Sequence, residues 1–174
     1  MKEIVGTTTE QNLKDAFISE STSILKYLIF ADKSEYEYVE EVFKHVAKNE
    51  QEHAEVFLEF LGGFGGDLDN LKNSIALEGF TSTIDYPDAA RVAEEEGFPE
   101  IAQKFREIAT IETHHKEIFE ALYNKVKNNT LLKSTKPTKW ICMKCGYIME
   151  GLEPPAECPV CGHEREDYKL YKEE

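Results

Sequence analysis

Two copies of one short pattern, Glu-x-x-His, are the residues of this sequence best suited to chemistry. The first copy is Glu50 and His53, and the second is Glu112 and His115. Residues three apart on an α-helix share a face, so each pair can present one carboxylate and one imidazole to the same ion. Both groups are ligands of divalent transition metals. The two patterns therefore indicate metal binding on two separate helices.

Each pair lies within a stripe of apolar residues that recur every three or four positions, the period of a core-facing helix side. The first stripe contains Val39, Phe43, Val46, Phe57 and Leu61, and the second contains Ile101, Phe105, Ile108, Phe119, Leu122 and Val126. A carboxylate in such a stripe is unfavourable unless it is paired, protonated or bound to metal. The position of the glutamates thus favours a metal over a solvated helix face.

Two further glutamates interrupt apolar stripes in the same way. Glu20 lies between Phe17 and Ile24, and Glu78 follows Ile75 by three residues. Four carboxylates and two imidazoles directed into one core are the ligand set of a dinuclear iron or manganese site in a helical bundle. We therefore predict metal ligands at Glu20, Glu50, His53, Glu78, Glu112 and His115.

Four long helices are needed to position these ligands, and the sequence predicts all four. The expected ranges are about 8–32, about 37–61, about 70–96 and about 100–127. A capping box at Thr7 or Thr8 starts the first helix, and Gly62 and Gly97 stop the second and third. Pro87 is expected to kink the third helix. The predicted fold class is an all-α, ferritin-like four-helix bundle followed by a small, irregular or β metal-binding domain.

The ligand spacing also repeats along the chain. Glu20 and Glu50 are equidistant from the break near residue 35, and Glu78 and Glu112 are equidistant from residue 95. Positions equidistant from a tight turn lie at the same height in a helical hairpin. Each half of the bundle thus contributes one glutamate and one Glu-x-x-His, which predicts a site with pseudo-twofold symmetry.

The connection between the second and third helices, at about 62–69, is short for such a site. Twofold symmetry makes these two helices parallel. The connection must therefore run about 25 Å along the bundle axis and about 10 Å across it. About eight extended residues reach only about 27 Å. We therefore predict that two chains exchange helix pairs in a domain-swapped homodimer. The alternative is an up-down-up-down monomer with a short turn.

All four cysteines lie in the C-terminal part of the chain, in two Cys-x-x-Cys pairs. They are Cys142, Cys145, Cys158 and Cys161. Two such pairs give a tetrahedral site of four sulfurs, which suits zinc or iron. Trp140, Tyr147 and Tyr168 flank the pairs and suit a small aromatic core around a redox iron, whereas a structural zinc ribbon is the alternative on spacing alone.

Composition limits the partners and the compartment. The chain of 174 residues has a net charge of -14, so neither nucleic acid nor an anionic membrane is an expected partner. The N-terminus is polar and no apolar run is long enough to span a bilayer, which predicts a cytoplasmic protein. Paired Cys-x-x-Cys motifs in a cytosolic chain indicate metal rather than disulfides. The expected domains are 1–128 and 139–174, joined by a linker at 129–138.

Together these motifs resemble one known family. The resemblance rests on Ala16-Phe-Ile-Ser-Glu20, Glu50-x-x-His53-Ala54, Tyr86-Pro87, Glu112-x-x-His115, Cys-x-x-Cys-Gly-Tyr and Cys-Pro-Val-Cys-Gly. In that order, over nearly the whole chain, they are similar to rubrerythrin, a ferritin-like di-iron bundle followed by a rubredoxin-like domain. The resemblance implies two irons at the carboxylate and histidine ligands and one iron at the four cysteines. It also agrees with a domain-swapped dimer.

The resemblance further implies a role for each ligand. Glu20 and His53 would hold one iron, Glu78 and His115 would hold the other, and Glu50 and Glu112 would bridge them. Tyr27 and Tyr86 match tyrosines that support the ligands in the family.

The implied activity is reduction of hydrogen peroxide to water in oxidative-stress defence. Electrons would come from a reductase or a rubredoxin and pass through the four-cysteine iron. Ferroxidase or iron-handling activity and oxygen activation are the alternatives.

One position departs from the family pattern. The third helix of the family carries Glu-x-x-Glu, and the second glutamate falls at Thr81. In typical members that carboxylate competes with the histidine of the second helix, and one iron moves between them with oxidation state. Thr81 is a poor ligand, so we expect His53 to stay bound to iron in both oxidation states. The efficiency of peroxide reduction is the property of the family that this substitution puts in question.

Overall fold

The computed structural model describes residues 4–172, which form two compact units that divide between Gly65 and Gly66. The first unit contains the helices α1 (Thr8–Asp32) and α2 (Glu37–Phe60). The helical elements of the second unit are α3 (Asp67–Phe80), a π-helical turn (Thr81–Asp85), α4 (Tyr86–Glu95) and α5 (Pro99–Lys127). Its strands are β1 (Thr138–Cys142), β2 (Ile148–Gly151) and β3 (Tyr168–Leu170), with a short 3-10 turn (Arg165–Asp167) before β3.

The helix boundaries follow local sequence signals. The backbone N–H of Glu10 donates to the Thr7 hydroxyl at 3.1 Å, and the Glu10 carboxylate accepts from the backbone N–H of Gly6 at 2.6 Å. The first bond satisfies a donor that the first turn of α1 leaves free, and the second ties the residue before the N-cap to the same glutamate. Gly62 and Gly97, just beyond α2 and α4, have φ values of 63° and 85°, which glycine adopts without strain. The predicted start of the first helix and both glycine stops are confirmed.

The third predicted helix differs from expectation. Instead of one helix over 70–96 kinked at Pro87, the chain has α3 and α4 joined by the π turn that ends just before Tyr86. Pro87 has no N–H to donate, and in a regular helix its ring meets the carbonyl four residues earlier. A π turn widens the helix at that point. The hydroxyls of Ser82 and Thr83 both donate to the Gly79 carbonyl, at 3.3 Å and 2.6 Å. The irregularity therefore precedes the proline rather than coinciding with it.

Within residues 4–172, the buried residues of the helices are alanines apart from Ser82 in the π turn. The alanines are Ala31, Ala47 and Ala54 in the first unit, and Ala90, Ala93, Ala102 and Ala109 in the second. Such small side chains allow neighbouring helices to approach closely. Large aliphatic side chains are exposed instead, including Ile18 at 61%, Leu25 at 64% and Leu77 at 64%. Each helical unit thus keeps an extensive apolar surface open.

The C-terminal part forms a small antiparallel sheet in the order β2-β1-β3. Its core consists of Trp140, Cys142, Cys158 and Tyr168. The indole N–H of Trp140 donates to the Gly151 carbonyl at 3.1 Å, which ties β1 to the end of β2. The predicted fold class, helices followed by a small β metal-binding domain, is confirmed.

The predicted domain ranges stay predictions, although Thr138, placed in the linker, already belongs to β1. Within residues 4–172, no helix is long and apolar enough to cross a membrane.

Candidate metal centres

The first unit brings three predicted ligands together. Glu20 lies on α1, and Glu50 and His53 lie one turn apart on α2. One ligand atom from each lies within 4.8 Å of the others. His53 Nδ1 is 2.8 Å from Glu50 Oε2. A helical hairpin is sufficient to assemble this set.

The second unit assembles an equivalent set from α3 and α5. Glu78, Glu112 and His115 offer ligand atoms within 4.8 Å of one another, and His115 Nδ1 is 2.7 Å from Glu112 Oε2. Burial raises the pKa of Glu78, and the neighbouring Glu112 carboxylate raises it further, against a smaller opposite effect of His115. Two carboxylates in contact repel each other when both are ionised, so the arrangement favours a cation between them.

The two three-ligand sets resemble each other in the exposure of their side chains as well as in their ligand spacing. The carboxylates of Glu50 and Glu112 are 19% and 18% exposed, whereas the imidazoles of His53 and His115 are 58% and 45% exposed. Each set supplies three ligands with oxygen and nitrogen donors, suited to iron. The internal repeat predicted from the sequence is therefore present as two similar three-ligand sets. Their combination into one six-ligand site stays a prediction.

The two tyrosines extend the repeat. Tyr27 stacks on Phe43 with 6.0 Å between ring centroids, and Tyr86 packs against Phe105 at 5.6 Å. Both phenylalanines lie seven residues before the glutamate of a Glu-x-x-His pair.

The two tyrosines differ in their sequence separation from the glutamate that precedes them, Glu20 or Glu78. Tyr27 follows Glu20 by seven residues, about two turns of α-helix, whereas Tyr86 follows Glu78 by eight. The π turn between Glu78 and Tyr86 absorbs the additional residue, because a π turn contains one residue more than an α turn. The ring of Tyr86 consequently reaches the same kind of partner as Tyr27. Sequence reasoning missed this turn, although the eight-residue spacing and Pro87 together signal it.

The four cysteines form one cluster in the C-terminal sheet. All four sulfurs lie within 4.8 Å of one another, and the Cys142–Cys161 and Cys145–Cys158 sulfur pairs are each 3.7 Å apart. Four sulfurs at about 2.3 Å from a central ion are about 3.8 Å apart in a tetrahedron. The thiols are free, as a metal site requires. The cluster therefore fits one tetrahedral ion without rearrangement.

Hydrogen bonds from the backbone converge on these sulfurs. Tyr147 N–H donates to Cys145, and His163 N–H donates to Cys161. Burial raises the pKa of Cys158, but the nearby Tyr168 hydroxyl and the N–H groups of Val160 and Cys161 outweigh it and lower that pKa to about 6. The left-handed Gly146 and Gly162, with φ values of 78° and 73°, allow the chain to curl around the sulfurs. Such contacts stabilise thiolates and tune the metal they bind.

Comparison with known proteins agrees with this geometry. The family described as Rubrerythrin matches residues 11–123 and 69–140, and the one described as Rubrerythrin, rubredoxin-like domain matches residues 140–169. The chain belongs to the rubrerythrin family. It is 36% identical to a rubrerythrin of Porphyromonas gingivalis, over 93% of this chain and 89% of the relative. Identity to the rubrerythrin of Clostridium perfringens is 34% over 99% of both chains. Identity to that of Nitratidesulfovibrio vulgaris is 35%, over 98% of this chain and 97% of the relative.

Membership in the rubrerythrin family confirms the predicted cofactors. The two Glu/Glu/His sets are the candidate ligands of the di-iron centre, and the four cysteines are the candidate ligands of the rubredoxin-type iron. The structural zinc alternative is therefore set aside. The chain is an iron-dependent redox protein.

Proposed function

We propose that this chain reduces hydrogen peroxide to water at its di-iron site, with electrons supplied through the four-cysteine iron. The observation that carries the proposal is the presence, on one chain, of two three-ligand Glu/Glu/His sets and a four-sulfur cluster. Two ferrous ions supply together the two electrons that peroxide reduction requires, and a tetrathiolate iron passes electrons singly. A chain with both kinds of site thus has one centre suited to the reduction and another suited to returning electrons to it.

In the proposed site each ligand has a distinct role. Glu20 and His53 would hold one iron, Glu78 and His115 would hold the other, and Glu50 and Glu112 would bridge them. Four ionised carboxylates contribute a charge of about -4, which two divalent ions balance, so the occupied site is close to neutral. The imidazole Nδ1 atoms lie against Glu50 and Glu112, which supports metal binding by each pair as a unit.

Tyr27 and Tyr86 are proposed to hold the ligands in place. Their rings are fixed by Phe43 and Phe105, on the helices that carry the Glu-x-x-His pairs. A phenol is able to donate a hydrogen bond to a carboxylate ligand and so limit its rotation. These tyrosines are positioning residues in the proposal, and the irons would supply the reaction with peroxide.

The proposed assembly is a domain-swapped homodimer. Phe60 lies ten residues beyond Glu50, and Asp67 lies eleven residues before Glu78. In the parallel arrangement that a shared twofold site requires, a connection within one chain climbs about 31 Å. The seven Cα–Cα steps from Phe60 to Asp67 span at most about 25 Å. Helix pairs from two chains avoid this climb, because each chain then contributes one half of each site.

Exposed apolar residues support the same assembly. Large side chains such as Ile18, Leu25 and Ile111 are at least half exposed in the single chain. Helices with many large, exposed apolar side chains are unfavourable in water and typical of obligate interfaces. Pairing with a second copy would cover them.

The remaining partners belong to the same proposal. The chain is proposed to act in the cytoplasm, in defence against oxidative stress, with a reductase or a rubredoxin as electron donor. Electrons would enter at the four-cysteine site, where Cys145 is exposed and Cys161 is half-buried.

A second candidate function is ferroxidase or oxygen-activating chemistry. Thr81 stands where the family pattern has a carboxylate, and the six remaining ligands are also those of iron-oxidising sites. Stopped-flow mixing of the fully reduced protein with peroxide and with oxygen separates the two. The peroxidase proposal requires much faster oxidation by peroxide, and faster oxidation by oxygen would favour the second candidate instead.

A further inference from the structure

Tyr168 places a buried hydroxyl beside the cysteine cluster. The residue is 2% exposed and packs with Cys142, Cys158 and Trp140 in the core of the sheet. In the β1–β3 register, it lies directly opposite Cys142. Its ring therefore forms one wall of the four-cysteine site.

The hydroxyl of Tyr168 is the one buried side-chain oxygen or nitrogen in residues 4–172 that has no hydrogen-bond partner. Burying a hydroxyl without a partner is costly, so such groups are rare and call for a specific acceptor. Within this buried cluster the Trp140 N–H is a donor that is already bonded to a backbone carbonyl, so the side-chain acceptors beside the hydroxyl are the sulfurs of the packed cysteines, Cys158 among them. The Cys158 sulfur also accepts hydrogen bonds from the backbone N–H groups of Val160 and Cys161. A thiolate is a good acceptor for one more donor.

We propose that the Tyr168 hydroxyl donates a hydrogen bond to the Cys158 sulfur in the iron-loaded protein and thereby raises the reduction potential of the four-cysteine iron. The reduced centre carries one more negative charge than the oxidised centre. A donor aimed at a ligand sulfur stabilises that additional charge, so it favours the reduced form. Tyr168 is a positioning and tuning residue: it touches a ligand rather than the iron.

The decisive variant is Tyr168→Phe, which removes one oxygen and keeps the ring. We expect the reduced-to-oxidised ratio of the four-cysteine iron at a fixed potential to fall about threefold to tenfold. A tenfold change corresponds to a shift of 59 mV for a one-electron couple. The thiolate-to-iron charge-transfer bands should shift as well, and both are measured by spectroelectrochemistry on the full chain.

Tyr147→Phe is the matched control. Tyr147 packs against the same core, and its contact with Cys145 runs through the backbone N–H, which the substitution keeps. The reduction potential of the four-cysteine iron in Tyr147→Phe should equal that of the unmodified protein. Equal potentials in the Tyr168→Phe and Tyr147→Phe variants would overturn the proposal.

Thermal unfolding of the iron-loaded protein gives a second, independent readout. Loss of a hydroxyl that donates to sulfur should lower the Tm, whereas loss of a hydroxyl with no acceptor should raise it. A raised Tm in Tyr168→Phe would therefore refute the hydrogen bond.

Should Tyr168→Phe fail to load iron, 3-fluorotyrosine introduced at position 168 alone keeps both ring and hydroxyl. The more acidic phenol donates more strongly, so the potential should rise, and an unchanged potential would count against the proposal. None of these measurements depends on peroxidase activity, so their outcome and that of the proposed function are separable.

Discussion

His115 Nδ1 lies 2.7 Å from Glu112 Oε2, one turn earlier on α5, and His53 and Glu50 reproduce this contact on α2 at 2.8 Å. The same two atoms thus meet in both units. An i,i+3 pair on a helix is held by the helix itself, so each carboxylate and imidazole are oriented together before a metal binds. The third ligand comes from the neighbouring helix of the same hairpin, Glu78 or Glu20.

Glu112→Gln should abolish loading of the di-iron site while the four-cysteine iron stays bound. The amide keeps the shape of the side chain but removes the charge that Glu78 and His115 face, and a neutral amide is a much weaker iron ligand. Iron analysis should fall from about three irons per chain to about one. The thiolate-to-iron bands should be unchanged.

Glu117→Gln is the control for that experiment, because Glu117 lies on the same helix, is 68% exposed and pairs only loosely with His114 at 3.6 Å. It should retain all three irons. Full iron content and full turnover in Glu112→Gln would exclude Glu112 as a bridging ligand.

Much of the site was predictable because its signals are local. Glu-x-x-His spacing, a cap at Thr7, glycine stops and Cys-x-x-Cys pairs each depend on a few neighbouring residues. Three ligands of each set then follow from hairpin geometry. Exposure was less predictable: the stripes indicated a buried core, but in the single chain His53 is 58% exposed, since burial depends on what covers the open helix faces.

Two features escaped the sequence analysis for physical reasons. The π turn lies just before Pro87 and adds the residue that brings the Tyr86 ring to its partner. A periodicity analysis assumes a constant 3.6 residues per turn, so it does not detect an added residue. The buried hydroxyl of Tyr168 was missed because an aromatic flank identifies a core residue but not the atom that its oxygen meets. Both depend on packing between elements.

Deleting Thr83 tests whether the π turn corrects the helix register. The deletion shortens the wide turn to an ordinary α turn, so Glu78 and Tyr86 become seven residues apart, as Glu20 and Tyr27 are. We expect α4 to keep its contact with α5 and the protein to lose no more than about 2 kcal/mol of stability. Denaturant unfolding and iron content measure the result.

Deleting Asp88, an exposed residue of regular α4, is the matched control. It should rotate Ala90 and Ala93 by about 100° relative to α3 and remove them from the α5 contact. We expect a loss of about 3 kcal/mol or more. Equal destabilisation by the two deletions would show that the π turn has no role in register.

Thr81→Glu should convert the iron site towards the behaviour of typical family members. Thr81 follows Glu78 by three residues, so a glutamate there shares its face and offers a further carboxylate. In the unmodified protein we expect His53 to bind iron in both oxidation states. In Thr81→Glu the oxidised protein should lose that bond. Pulsed EPR detection of imidazole nitrogen in the mixed-valence state, with crystal structures of both oxidation states, tests this. Displacement of iron from His53 on oxidation of the unmodified protein would contradict the expectation.

Leu25→Glu should separate the proposed dimer. Leu25 is 64% exposed in the single chain, on the helix that carries Glu20. A charge buried at an apolar interface is strongly unfavourable, so the variant should become monomeric at micromolar concentration. It should also lose the di-iron site and keep the four-cysteine iron, because the proposal takes half of each di-iron site from either chain. Sedimentation velocity with iron analysis measures both effects. Lys26→Glu changes a neighbouring exposed residue that is already charged, and it should remain a loaded dimer. A monomeric Leu25→Glu variant with a full di-iron site would rule out the domain swap and favour a bundle closed within one chain.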